Sequence, residues 1–314
     1  MQLRKRFLSL VLVFLLSLSL IPASSAATGT LVKNTGTRHT VCTSLSSQAQ
    51  AYYTGNYTYD VVSELTASAS DPMNSAMFNR LHSLMYPLDH TVSYSSLTDY
   101  WPKTDASGGS DDAILFYSDE FGTGYNREHV WPNSHGTFNQ SGAGSDLHHL
   151  RPTNSNINSI RGSYTFGNVV GVISGYDTKA LNGATVLWYS SSKNRVEVRD
   201  NIKGDVARIL LYVWCCWEEP NLYQDTGSTS GSDGVRVIES LDTLLQWMAA
   251  DPVDTWEMSR NDQCENVQGN RNVFIDYPEY AWLLFGMTPP TNYQTPSGIA
   301  AGGTPVTSPT PTGA

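Results

Sequence analysis

Tyr125-Asn126-Arg127-Glu128-His129-Val130-Trp131-Pro132 and, further along, Asp146-Leu147-His148-His149-Leu150-Arg151-Pro152 are the stretches on which the reading of this chain turns. With His135 between them they hold four of its seven histidines. The second stretch runs on through Asn154, Asn156 and Asn158 to Arg161 and Gly167. A carboxylate, an amide oxygen and a neutral imidazole are donors that suit a hard divalent cation with a general base beside it. Structural zinc fits poorly, because the chain has no Cys-x-x-Cys or His-Glu-x-x-His pattern. Each residue also has a plainer use. Glu128-His129 reads equally as a surface pair, His148-His149 as one core and one exposed imidazole, and the asparagines as turn residues. Their concentration in a segment with few aliphatics favours a site. On the residues alone, that site is one for metal-assisted hydrolysis.

Around this segment the patterning is mixed. Residues 73–85 carry apolar side chains at helical spacing. Residues 206–214 are an almost wholly apolar run behind Asp205, which predicts a buried helix with Asp205 as its N-cap. Residues 237–248 repeat the helical period through Leu241, Leu244, Leu245 and Met248. Strand-like runs are 114–117, 169–173, 186–189 and the alternating Arg195-Val196-Glu197-Val198-Arg199. Several helices around a small antiparallel sheet predict an α+β fold rather than a parallel βαβ array. The polar runs 104–112 and 225–233 read as loops, and no internal repeat is visible.

The two ends stand apart from this middle. Arg4-Lys5-Arg6, the apolar run 7–21 and the small residues Ala23-Ser24-Ser25-Ala26 make residues 1–26 a secretory signal peptide. A transmembrane anchor is the weaker reading, since the run is short and a cleavage site follows it. Removing the three basic groups takes the net charge from −10 to −13. The mature protein is expected to be soluble, free of the membrane, monomeric and secreted, or periplasmic in a Gram-negative cell. Residues 288–314 are rich in Pro, Thr, Gly and Ala without a charge, and read as a disordered tail or linker. Residues 27–287 are then one domain, because no linker composition divides them.

With 314 residues, 40% hydrophobic and 11% aromatic, the chain can bury a sizeable core. That excludes a wholly disordered protein and a small disulfide-stapled scaffold. The balance of 19 basic to 29 acidic residues argues against a dedicated polyanion binder. Locally the sign reverses: between 127 and 161, Arg127, Arg151 and Arg161 face only Glu128 and Asp146. Cys42, Cys215, Cys216 and Cys264 allow three pairings. Adjacent Cys215 and Cys216 point in different directions on a helix and should not bond each other. Cys42 with one of them and Cys264 with the other is the expected pairing; four free buried thiols are an equal alternative.

Asn126-Arg127-Glu128-His129-Val130-Trp131-Pro132 resembles the signature of the bacterial endonuclease I family, exported sugar-non-specific nucleases with a ββα-metal (His-Me finger) site. The resemblance continues through residues 146–152, 158–167, Gly204-Asp205-Val206-Ala207-Arg208 and Gln268-Gly269-Asn270-Arg271-Asn272-Val273-Phe274-Ile275-Asp276. It implies His129 as the general base, Glu128 and Asn158 as metal ligands, and Arg161 as a phosphate contact. It also implies that Asp146 and His148 orient the site, with Arg127 a supporting or substrate residue. A backbone carbonyl near Gly144 is expected to hold the base. Arg271 is a lesser candidate for phosphate contact, since the last two motifs read first as structural. One divalent ion is implied, Mg²⁺ foremost with Ca²⁺ or Mn²⁺ also suitable, because the segment has too few carboxylates for two. The implied reaction cleaves DNA and RNA with little sequence preference, leaving 5′-phosphate ends. A catalytically silent nucleic-acid-binding module of the same fold is a second reading, opposed by the intact Glu128, His129 and Asn158. Another secreted metallo-hydrolase is a third, opposed by the missing zinc motif and the missing Gly-x-Ser-x-Gly elbow.

Overall fold

The computed structural model describes residues 39–54, 72–86, 90–106, 112–122, 124–223, 236–290 and 293–297. The expected signal peptide 1–26, most of the expected tail 288–314, most of the loop 104–112 and all of the loop 225–233 lie outside the described residues. In chain order the elements are α1 Ser47–Tyr53, α2 Ala76–Met85, α3 Leu97–Thr104, β1 Ala113–Ile114, β2 Phe121–Gly122 and β3 Asn126–His129. There follow β4 Leu150–Thr153, α4 Ser155–Arg161, β5 Thr165–Phe166, β6 Asp177–Leu181, β7 Ala184–Ser190 and β8 Arg195–Val198. The last five are α5 Lys203–Cys216, α6 Leu241–Ala250, α7 Thr255–Gln268, α8 Val273–Asp276 and α9 Tyr280–Leu284.

The fold is α+β, as the patterning predicts. The pairs β1–β2 and β3–β4 are antiparallel, and a four-stranded sheet runs in the order β5-β8-β7-β6. Within it only β5 with β8 is parallel.

α5 is the axis of the core. Its residues from Gly204 to Cys216 are all buried, which is what an apolar run without a polar stripe requires. Its two charged side chains inside the core are paired. Arg208 donates through Nε and Nη2 to both carboxylate oxygens of Glu257 on α7, and Nη2 lies 3.3 Å from Asp205 Oδ1. Removing one partner of such a buried pair costs about 3–5 kcal/mol. Gly204 is there because α5 starts against the chain that leaves α6: a Cβ would stand 2.0 Å from the Asp251 carbonyl.

Four local readings need correction. Asp205 lies inside the first turn of α5 and pairs with Arg208, while Ile202 holds the cap position. The helix read from residue 237 starts at Leu241, where Ser240 accepts a hydrogen bond from the Thr243 amide; Ile238 instead bridges Phe166 and Tyr223. Residues 169–173 form a turn, because one oxygen of Glu197 accepts from the amides of both Val169 and Val170. Of the run 114–117 only Ile114 is strand; Leu115 turns the chain by donating to the Glu120 carbonyl. Packing also extends past residue 287, since Tyr293 and Thr295 are buried and Tyr293 lies against Trp282.

All four cysteines are free and buried, so the expected disulfides are absent. The thiols sit apart: Cys215 faces the Phe78 carbonyl, Cys216 the Met85 carbonyl, and Cys264 receives Arg260 Nη1. Cys42 belongs to a separate apolar cluster with Val253 and Ile275.

Candidate active site

β3 and β4 pair with Glu128 opposite Arg151 and His129 opposite Leu150. Asn154 then caps α4, accepting from the amides of Asn156 and Ile157, and the chain turns back over β3. The result is a strand–strand–helix unit that carries Glu128 and His129 on β3 and holds Asn158 against that strand. Side chains alternate along a strand, so adjacent Glu128 and His129 point to opposite faces. Glu128 is buried and His129 is partly exposed.

Glu128 is held by one oxygen. Its Oε1 accepts from Tyr117 Oη at 2.6 Å and lies 3.1 Å from Arg161 Nε. The second oxygen has no partner among the described residues. Burial pushes the carboxyl up to about 7, against the opposing pull of Arg161 and the Tyr117 hydrogen bond. Asn158, on α4, donates from Nδ2 to Asn126 Oδ1 at 2.7 Å and to the Arg127 carbonyl at 3.4 Å. That fixes the amide against β3 and leaves Oδ1 as a free acceptor beside Glu128's strand.

His129 lies in a cradle of rings and carbonyls. Tyr94 and Phe138 are near-parallel to its imidazole at 5.8 and 6.1 Å between centroids, and His149 meets it edge-on at 5.8 Å. Its Nε2 is enclosed by protein. Burial lowers the imidazole pKa, and the backbone carbonyls of Asn139 and Gly144 push it back up. The backbone of Gly144, where a carbonyl is expected, thus acts on the ring electrostatically together with that of Asn139. Glycine at 144 is obligatory: a Cβ would stand 1.8 Å from the Asn139 carbonyl oxygen and 3.1 Å from the Phe138 ring.

The remaining predicted residues are structural in their contacts. Asp146 is buried and fully used, with Oδ1 accepting from the His148 amide and Gln268 and Oδ2 from Tyr212 and Trp217. His148 hydrogen-bonds through Nε2 with the Asn270 carbonyl. His149 is buried too, so neither imidazole of the pair is exposed. It is locked neutral: Nδ1 donates to the Ala143 carbonyl and Nε2 accepts from the Trp131 amide. Desolvation takes His148 down to about 4 and His149 to about 3.

None of the three segment arginines points free into solvent. Arg161 is fully buried, with Nη2 on the Val130 carbonyl, Nη1 on those of Gly162 and Tyr164, and its plane over Phe166. It faces Glu128 rather than the surface. Arg151 pairs with Asp105, and Arg127 donates to the carbonyls of Tyr94 and Ser95. The local excess of basic residues is thus committed to protein partners, with Arg151 and Arg161 buried and Arg127 half-buried. Arg271 is likewise buried, bound to Asp276, Asp262 and Glu265.

Tyr94 and Phe138 escaped the sequence reading and arrive from outside the motifs. Tyr117 had a signal in the Tyr117-Ser118 pair, which extends the family resemblance upstream, and His149 in its place beside His148.

A cation fits the donor set. Glu128 and Asn158 offer oxygen ligands, and among the described residues no group of three or more His, Cys, Asp or Glu forms a closed cage. Two protein oxygens with water completing the shell is how Mg²⁺ is commonly held.

The chain is a nuclease by descent: residues 37–279 match a nuclease family along most of the chain. That family is Endonuclease I, and the chain belongs to it. It is 35% identical over 228 residues to an extracellular ribonuclease of Bacillus amyloliquefaciens, covering 68% of this chain and 75% of that protein. It is 33% identical over 298 residues to an extracellular ribonuclease of Bacillus subtilis (strain 168), covering 88% of this chain and 96% of that one. Among the described residues no helix is long and apolar enough to cross a membrane.

Proposed function

We propose that this protein is a secreted, divalent-metal-dependent endonuclease that hydrolyses phosphodiester bonds in RNA and DNA with little sequence preference. The observation that carries the reading is the strand–strand–helix unit, with Glu128 and His129 adjacent on β3 and Asn158 held against that strand by α4. Two strands and a helix in this order are the elements from which a ββα-metal site is built. Both relatives named above are called extracellular ribonucleases, which supports export and RNA as a substrate. The signal peptide at residues 1–26 belongs to the same reading, as does a tail that starts only past the buried Tyr293 and Thr295.

His129 is the general base. Burial keeps its imidazole neutral near pH 7, ready to take a proton from the attacking water. The carbonyls of Asn139 and Gly144 then stabilise the imidazolium that forms. Glu128 and Asn158 would hold the cation, most simply Mg²⁺. When bound, such an ion would supply electrostatic stabilisation of the negative charge that develops in phosphodiester hydrolysis. Arg161 and Tyr117 fix the inner oxygen of Glu128 and leave the outer one to the ion. In this arrangement Arg161 serves the carboxylate rather than the phosphate. Asp146 and His148 tie the loop before β4 to α5 and α7. The expected products carry 5′-phosphate and 3′-hydroxyl ends.

The test is direct. Mature protein incubated with ribosomal RNA and with plasmid should cut both, and EDTA should stop it. Cleavage indifferent to EDTA sinks the metal, and full activity in His129→Ala sinks the base.

A further inference from the structure

We propose that Tyr94 is a positioning residue for His129, held in place by Arg127. The inference rests on the reading of His129 as the base. Tyr94 lies far upstream of the motif, in the turn before α3, yet its ring is near-parallel to the imidazole, 21° between planes at 5.8 Å. Arg127 fixes that turn from β3. Its Nε donates to the Tyr94 carbonyl at 2.9 Å and its Nη2 to the Ser95 carbonyl at 3.0 Å. The same guanidinium stands over the Tyr94 ring, 4.9 Å from the centroid.

A side chain two residues before the base therefore grips the backbone and the ring of the residue stacked on it. The planar fork of arginine is what allows both at once; a lysine has one point charge and no plane. The stack needs the ring alone, since the Tyr94 hydroxyl makes no hydrogen bond among the described residues. Phe138 lies against the same imidazole at 6.1 Å, so aromatic rings supplied by distant parts of the chain set its plane. A base must meet its proton within hydrogen-bond reach, and a displacement of about 1 Å can cost about a hundredfold in rate. Tyr94 and Arg127 act on that alignment without touching the reacting atoms.

The experiment compares Tyr94→Phe, Tyr94→Ala, Arg127→Lys and His129→Ala on RNA under saturating Mg²⁺, with thermal unfolding confirming that each is folded. Tyr94→Phe should keep kcat within about twofold, whereas Tyr94→Ala should lose about ten- to a hundredfold in kcat with KM little changed. Arg127→Lys should fall between them. The His129 ring protons, shifted upfield by the stacked phenol, should move downfield in Tyr94→Ala and not in Tyr94→Phe. Three results overturn the proposal: an unchanged kcat in Tyr94→Ala, a Phe variant as damaged as the Ala one, or a rise in KM alone. An active His129→Ala would instead overturn the reading of the base, while the ring-proton comparison would still report whether Tyr94 orients that imidazole.

Discussion

The phenol of Tyr117 donates to Glu128 Oε1 at 2.6 Å, and Arg161 Nε lies 3.1 Å from the same oxygen. Two groups thus converge on one side of a buried carboxylate and leave the other side open. Hydrogen bonds that orient a metal-binding carboxylate are commonly worth ten- to a hundredfold in metal affinity. Tyr117→Phe should therefore weaken Mg²⁺ binding by about tenfold, with activity recovered at higher Mg²⁺. Titrating activity with the ion checks this. A variant with unaltered metal dependence would show that the hydroxyl does not serve the ligand.

Gly144→Ala should cost activity out of proportion to its size. The added methyl would sit 1.8 Å from the Asn139 carbonyl oxygen, so that backbone must move, and Asn139 lies against His129. A fall in kcat of about a hundredfold is expected, since the base is displaced rather than removed. Steady-state kinetics beside circular dichroism separates this from unfolding. A folded, fully active variant would refute the cradle's role.

His39 should make stability depend on alkaline pH. Burial alone would lower its pKa, but Asp254 Oδ2 at 2.8 Å and Asp119 Oδ2 at 3.4 Å raise it to about 10. The native state therefore holds a proton that the unfolded chain loses near pH 6.5. The stabilisation is full below that pH and is lost as pH rises through about 10. Urea unfolding of the wild type and His39→Gln should show a gap that narrows from pH 6 to pH 10. A gap constant across that range would contradict it.

Affinity for nucleic acid should fall only gently with salt. Each phosphate neutralised by a basic side chain steepens the slope by about 0.7–0.9. Arg127, Arg151 and Arg161 are all committed to protein partners, so a shallow slope follows. Measuring Kd across a salt series, in Ca²⁺ or with a His129→Ala variant to suppress cleavage, gives the number. A slope implying many contacts would show that another basic surface binds the substrate.

The residues proposed to carry the chemistry stand out in the sequence because they fall in two short motifs: Glu128 and His129 are neighbours on β3, and Asn158 lies on α4 just after β4. α5 was legible because an apolar run with no polar face has only one place to go. What escaped depends on long-range contact. Tyr94 and Phe138 approach the site from outside the motifs, and nothing in their own sequence marks them. Arg161 and Arg271 show the converse: an arginine in a motif says nothing about which way its guanidinium faces. Residues 169–173 were misread for a related reason, since a β-branched run becomes a turn once Glu197 accepts two of its amides.

The four free thiols bear on manufacture rather than catalysis. No step of assembly waits for an oxidant or for a disulfide isomerase, so the chain can reach its fold on either side of a redox boundary. Recovery from denaturant should be as complete in dithiothreitol as in air. A host that makes such a protein is spared the oxidative machinery that stapled proteins demand, and a laboratory can produce it in a reducing cytoplasm.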